Sequence, residues 1–205
     1  MLELDHVIVA VRDLDEAAAR FEEDFGVTAL PGGRHPGFGT GNRIVPLGTA
    51  YVELMAVVDE DEASPLASWV TQTVESGEGL GALCLRTDDI EAVATRLGTP
   101  ALAMGRTRPD GVELRWKLAG LEEMLAEGLP FFIQWDVAPG ELPGETPVTH
   151  RSGAGGIRWV ELGGDPEAVA ARVGEHGLDI RVTPGLPSGL RAVGISTPGG
   201  EIVIR

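Results

Sequence analysis

Basic residues are scarce in this chain: 16 Lys and Arg stand against 32 Asp and Glu, a formal net charge of −16. Such a surface repels phosphate backbones, and no basic cluster is interleaved with aromatics, so no nucleic-acid partner is expected. Cysteine is scarcer still. The single Cys84 cannot form an internal disulfide, which fits a reducing cytoplasm. Within Ala82-Leu-Cys-Leu85 it reads as a small buried hydrophobe. No apolar run approaches the length of a membrane span, and no basic-then-apolar segment opens the chain, so a cytoplasmic protein without membrane contact is expected. Nor is the composition that of a disordered chain, with 43% hydrophobic residues and a mean hydropathy of +0.06. Glycine (29) and proline (14) are plentiful, as many short strands and turns require.

The residues at 4–11, Leu-Asp-His-Val-Ile-Val-Ala-Val, read as a buried strand. A helix follows directly, with Asp13 as N-cap, Leu14, Ala17, Ala18, Phe21 and Phe25 on one face, and Gly26 as the stop. Strands are expected at 27–30 and 42–47, flanking a glycine-rich loop at 31–41, and a strong one at 50–57. His6 and Glu53 are thus ionisable residues on two strands whose neighbours belong in a core.

The order strand, helix, strand, strand, strand then recurs. Residues 1–58 make the first βαβββ unit, and 59–79 a linker with a short helix. Residues 80–137 make a second unit, 138–155 a Pro/Gly-rich linker, and 156–205 a third βαβββ-like unit. In the second unit 121–127 reads as a helical insertion. The fold class expected is α+β.

Several residues carry both a functional and a plain reading. His35 in its glycine-rich loop is either an exposed histidine or part of a site, and Asn42 either caps a turn or binds a ligand. Alternation over 112–118 puts Glu113, Arg115 and Lys117 on one face, pointing to solvent or to a site; Asp110-Gly111 before it reads as a tight turn. If it faces a site, Arg115 would grip a carbonyl or carboxylate, with Gln134 orienting it. His150 and His176 read as exposed.

Leu4-Asp-His-Val7, Gly32-Gly-Arg-His-Pro-Gly37, Gly39-Thr-Gly-Asn-Arg43 and Tyr51-Val-Glu-Leu54 resemble the glyoxalase-like domain family. Arg108-Pro-Asp-Gly111, Leu114-Arg-Trp116 and Pro130-Phe-Phe-Ile-Gln-Trp135 extend the likeness into the second unit. The wider resemblance is to the vicinal oxygen chelate superfamily, which includes glyoxalase I, extradiol dioxygenases and antibiotic-resistance proteins. It implies two units paired in a cupped half-barrel of mixed sheet, helices outside, with a divalent metal in the cup. His6 and Glu53 match the ligand positions of the first unit, and Glu53 is the candidate proton acceptor. In the second unit the same match puts Ala82 at the histidine position and Gln134 opposite Glu53; in the third, Ile157 stands at the histidine position.

Two function classes stay open. One is metal-dependent lyase, isomerase or dioxygenase chemistry on a small carbonyl or carboxylate compound, using Mn, Fe, Zn, Ni or Mg, with His35, Asn42, Arg115 and Gln134 binding substrate. The other is a metal-free module that sequesters a small molecule, with Trp116, Trp135 and Trp159 stacking on it; His6 and Glu53 would then be a hydrogen-bonded core pair. An unpaired sheet edge would also allow a homodimer.

Overall fold

The structure is a computed structural model that describes residues 1–108 and 111–205. Asp110, expected in a turn, lies outside the described residues. The first unit is β1 (Leu2–Ala10), α1 (Leu14–Phe25), β2 (Leu30–His35), β3 (Thr40–Leu47) and β4 (Ala50–Val57). After α2 (Pro65–Glu75), the second is β5 (Gly79–Thr87), α3 (Ile90–Leu97), β6 (Leu102–Thr107), β7 (Glu113–Ala119), α4 (Leu121–Glu127) and β8 (Phe131–Asp136). The third is β9 (Ile157–Gly163), α5 (Pro166–Val173), β10 (Ile180–Thr183), β11 (Gly189–Thr197) and β12 (Gly200–Ile204).

Local chemistry explains the helix ends. Asp13 accepts backbone N–H bonds from Asp15 and Glu16, both 2.8 Å, and Gly26 ends α1 in the left-handed region, at φ 63°. The segment after α1 departs from expectation. The glycine-rich stretch is largely strand, since Pro31 to His35 pair with β3. β2 is an edge strand, where proline is tolerated, and a bulge between Pro31 and Gly33 absorbs the irregularity.

The first two units share one eight-stranded sheet, ordered β2-β3-β4-β1-β5-β8-β7-β6. Each unit contributes its first strand beside its fourth, and β1 and β5 pair antiparallel at the centre. The two halves are therefore related by a pseudo-two-fold axis. The sheet curls until Arg106 on edge strand β6 donates to the Gly32 carbonyl on edge strand β2 (2.7 Å). This is the α+β cup that the resemblance implied, with α1, α3 and α5 on its outer face.

Period-two alternation divides the buried residues between two faces. Val7, Val9, Val52, Leu54, Leu83, Leu85 and Phe132 face outward into a core shared with α1, α3 and the third unit. Ile8, Met55, Ala82, Cys84, Leu114, Trp116, Leu118, Phe131 and Ile133 face into the cup. Leu66 and Val70 of α2 and Met124 of α4 join this inner cluster, so two short helices cover part of the concave side.

The third unit has the expected element order but another topology. Its separate four-stranded sheet runs β10-β9-β11-β12, with the first strand between the second and third rather than beside the fourth. Val160, Leu162, Val193 and Ile195 join the outer core of the large sheet. Arg172 of α5 fastens it to the second unit, donating to the carbonyls of Pro130 and Gly120, both 2.9 Å. His150, read above as exposed, is buried: it accepts from the Thr28 N–H (3.0 Å) and donates to the Pro46 carbonyl (2.6 Å), tying the second linker to the first unit. None of the described helices is long and apolar enough to cross a membrane.

Candidate functional site

The cup holds a narrow cavity of about 70 Å³. One wall comes from the first unit and is polar: His6 and Tyr51, His35, Asn42 and Glu53. The facing wall comes from the second unit and is almost wholly apolar, with Trp116, Leu118, Phe131 and Ile133. Arg106 is the cation that lines it.

The polar wall depends on a bulge. The register of β1 against β5 shifts between Leu4 and His6, so Asp5 is the extra residue. A bulge re-aims a side chain, and here Asp5 reaches the groups that line the cup although it neighbours His6 in sequence. Asp5 Oδ1 lies 2.7 Å from His6 Nδ1, and Asp5 Oδ2 accepts from Trp135 Nε1 at 2.9 Å. Arg86 Nη1 stands 3.5 Å from the same Oδ2. The His6 ring is held between Tyr51, stacked at 4.6 Å, and the edge of Phe131 at 5.7 Å. Its position is therefore fixed on every side but that of Nε2.

His6 Nε2 faces Glu53 Oε2 at 3.4 Å. The other carboxylate oxygen of Glu53 accepts a hydrogen bond from Asn42 Nδ2. The same amide lies 3.3 Å from His35 Nε2, while His35 Nδ1 lies 2.9 Å from Thr40 Oγ1. One pattern satisfies these contacts: His35 is neutral, donates from Nδ1 to Thr40 and accepts from Asn42 at Nε2. Burial is the main reason the ring's pKa lies below its ordinary value; Glu53 opposes the shift, and Arg106 and His6 add to it. The 3.6 Å approach of His35 Nε2 to Glu53 is thus two acceptors sharing one amide rather than an ion pair. Among the described residues, Asn42 Oδ1 is left buried without a partner. Gly32 makes room for it, since a Cβ there would lie 2.0 Å from that oxygen. Burial together with the charges of Asp5 and Glu53 pushes the Tyr51 phenol and the Cys84 thiol well above their ordinary values, so both are neutral.

The structure thus brings four of the expected residues, His6, His35, Asn42 and Glu53, to one wall. Two others lie elsewhere. Arg115 is exposed and pairs with Glu113 at 3.0 Å, because Leu114, Trp116 and Leu118 take the inner face of β7. Gln134 lies outside the cup, where its Oε1 accepts from the Ile90 N–H (2.9 Å) and its Nε2 donates to the Asp88 carbonyl (3.2 Å) at the start of α3. The expected match was out of register. His6 pairs with Tyr51 as Cys84 pairs with Phe131, so Cys84 is the counterpart of His6, not Ala82, and Ile133 that of Glu53. Of the three tryptophans, Trp116 and Trp135 line the cavity; Trp159 instead donates to Glu201 in the third unit (2.9 Å).

Asp5, Cys84 and Arg106 complete the site and were missed. A carboxylate inside Leu-Asp-His-Val was a usable signal for Asp5. Arg106 carried none, because a lone arginine in a segment without alternation, which the structure shows to be edge strand β6, has no periodicity to mark it.

A divalent ion fits part of this donor set. The 3.4 Å between His6 Nε2 and Glu53 Oε2 is a spacing that two ligands of one ion adopt at bond lengths of about 2.1 Å. The Asp5 contact on Nδ1 is the usual outer support of a metal-bound imidazole. Among the described residues, Asp5, His6 and Cys84 offer donor atoms within 4.8 Å of one another. The second wall adds a hydrocarbon, Ile133, where the first has Glu53.

Comparison with known proteins agrees with this architecture. A hypothetical protein from Staphylococcus aureus superposes with a TM-score of 0.71 at 22% identity, covering 94% of this chain and 90% of that one. A methylmalonyl-CoA epimerase of Streptomyces coelicolor, in complex with 2-nitronate-propionyl-CoA, superposes with a TM-score of 0.50 at 18% identity, covering 66% of this chain and 98% of that one. At these identities the likeness is one of fold, which is that of the vicinal oxygen chelate proteins. No curated protein matches the chain. The family profile of the glyoxalase-like domain matches residues 4–178, and the chain belongs to that family.

Proposed function

We propose that this protein takes a small carbonyl compound into the cup and moves a proton on it, as an isomerase- or lyase-type enzyme with a divalent ion between His6 and Glu53. The observation that carries this reading is the approach of His6 Nε2 to Glu53 Oε2 at 3.4 Å. Each group is held from behind, His6 by Asp5 and Glu53 by Asn42. Groups fixed in this way, in a cavity with apolar walls, are arranged for a third species rather than for each other.

When bound, the ion supplies Lewis acidity toward a carbonyl oxygen. His6 and Glu53 would hold it, with Cys84 in reach of His6. An imidazole and a carboxylate suit zinc, iron(II) or manganese better than magnesium, which prefers an all-oxygen shell. Glu53 takes the proton from the carbon beside the carbonyl, and Asn42 orients its carboxylate. Tyr51 and Phe131 fix the plane of His6 and keep water away. His35, neutral, steadies the amide of Asn42.

A second reading, a metal-free module that sequesters its ligand, is favoured by the hydrocarbon wall of Ile133, Phe131, Trp116 and Leu118. Two measurements separate them. Protein purified without chelator is expected to carry close to one equivalent of metal by elemental analysis. Incubated in D₂O with 2-oxobutanoate or 3-methyl-2-oxobutanoate, it is expected to speed deuterium exchange at the carbon next to the carbonyl, and Glu53→Gln to abolish this. Exchange no faster than buffer for the metal-loaded protein overturns the enzymatic reading and leaves the binding module.

A further inference from the structure

Arg106 has no part in the proton transfer described above, yet it is a buried guanidinium beside the reacting groups. It is 8% exposed. Among the described residues, its one side-chain hydrogen bond is from Nη1 to the Gly32 carbonyl, and no carboxylate stands within ion-pair distance. An arginine presents five N–H donors in a rigid fork, so one backbone carbonyl leaves most of them unused. Burial is the first reason that its pKa lies below its ordinary value; Tyr51 and Glu53 pull the other way.

Its placement gives those donors somewhere to go. Arg106 lines the cup, and it also lines a second cavity of about 250 Å³ between the edge strands, bordered by Pro31, Ile44, Pro46 and Pro143. The side chain is accommodated by Gly33: a Cβ there would lie 2.9 Å from Nη1. Gly32 meanwhile lets Asn42 sit between this arginine's carbonyl partner and Glu53. In a chain of net charge −16, a buried arginine without an acid partner among the described residues is costly unless something else supplies the anion.

We propose that Arg106 is the anchor for a carboxylate on the ligand, so that the compound taken into the cup is a small oxo acid rather than a neutral ketone or aldehyde. This rests on the reading of the cup as a small-molecule site and narrows its substrate class. Paired N–H bonds from the guanidinium to the carboxylate would fix one end of the molecule. The carbonyl and its neighbouring carbon would then extend into the same cavity as His6 and Glu53. The apolar part is small. A cavity of about 150 Å³ is what holds a benzene in a protein core, and this one is about 70 Å³, so a short branched aliphatic body suits it better than an aromatic ring.

The test uses the wild-type protein first, with 2-oxobutanoate and 3-methyl-2-oxobutanoate set against their methyl esters in calorimetric titrations. The acids are expected to bind at least tenfold tighter than the esters. In Arg106→Met that preference is expected to vanish while ester binding stays within about twofold; Arg106→Lys recovers part of it, because a point charge replaces the fork. Acid and ester binding wild type equally would overturn the anchor and leave the small-molecule site standing. So would an acid preference that survives in a folded Arg106→Met. If Arg106→Met does not fold, the wild-type comparison decides alone. Failure of acids and esters alike to bind wild type, with or without zinc, overturns both the anchor and the site.

Discussion

The two walls of the cup have the same strand order and opposite chemistry. In the first unit, β1 and β4 present His6, Tyr51 and Glu53; in the second, the related positions of β5 and β8 present Cys84, Phe131 and Ile133. A duplicated scaffold thus keeps its backbone while, at the related positions, one copy presents an imidazole, a phenol and a carboxylate and the other a buried thiol and hydrocarbon. The difference has a physical use. A low-dielectric wall strengthens every charge interaction on the wall it faces, and it removes the water that would otherwise solvate Glu53. It also lowers the number of protein donors that a metal can find, which is why metal content is the measurement that separates the two readings of function.

The largest expected effect comes from erasing the contrast. Ile133→Asp places a carboxylate in the hydrocarbon wall, where Ile133 is 2% exposed. An uncompensated buried charge should cost about 3–5 kcal/mol in urea unfolding. Loss under about 1 kcal/mol would mean that the wall is wet and the comparison overdrawn. If zinc then restores much of the stability, the new carboxylate has completed a metal site.

A smaller effect is expected at the point where the walls are tied together. Trp135 of the second unit donates to Asp5 of the first. Trp135→Phe keeps most of the ring and removes the N–H, so it should destabilise the fold by about 1.5–3 kcal/mol, as hydrogen bonds to a charged acceptor do. An unchanged unfolding midpoint would show that water replaces the bond.

The polar wall should also be the pH-sensitive one, through His35. Its folded pKa lies below 6.5, so the unfolded chain takes up a proton at a higher pH than the folded one. The stability linked to a neutral His35 is complete above the unfolded value and is lost as pH falls from there through the folded value. Between about pH 7.5 and 5.5, wild type should lose more stability than His35→Gln in chemical unfolding. Equal losses would assign the pH dependence to other groups.

The smallest effect sharpens the comparison from outside. Arg115, on the solvent face of β7 and paired with Glu113, should tolerate replacement by Ala with a change within about 0.5 kcal/mol and no loss of oxo-acid binding. Weakened binding in Arg115→Ala would return that arginine to the site.

The fold was largely legible because its signals are local and repeated. The apolar, β-branched runs at 4–11 and 50–57, the capped helix ending at Gly26, and the recurrence of the unit order all follow from local composition, side-chain period and turn chemistry. His6 and Glu53 were legible because a charge in an apolar run is conspicuous whatever the register. Arg115 and Gln134 were misplaced for the opposite reason. Whether a strand residue points inward depends on register, and a one-residue slip sends it to the other face. Alternation divided β7 correctly into two faces, but it could not say which face was the cup.

The sequence by itself therefore determined the units, the α+β class, the acidic surface and the pair of ionisable residues on core strands. These depend on composition and on neighbours a few residues apart. Tertiary structure alone decided that the third unit pairs its strands in another order, and that a bulge turns Asp5 toward the groups around His6. It also decided that Arg106 is the arginine that lines the cup, and that Cys84 rather than Ala82 is the counterpart of His6. Each of these is set by which strands lie side by side and in what register, and that is fixed by packing across the sheet between residues far apart in the chain.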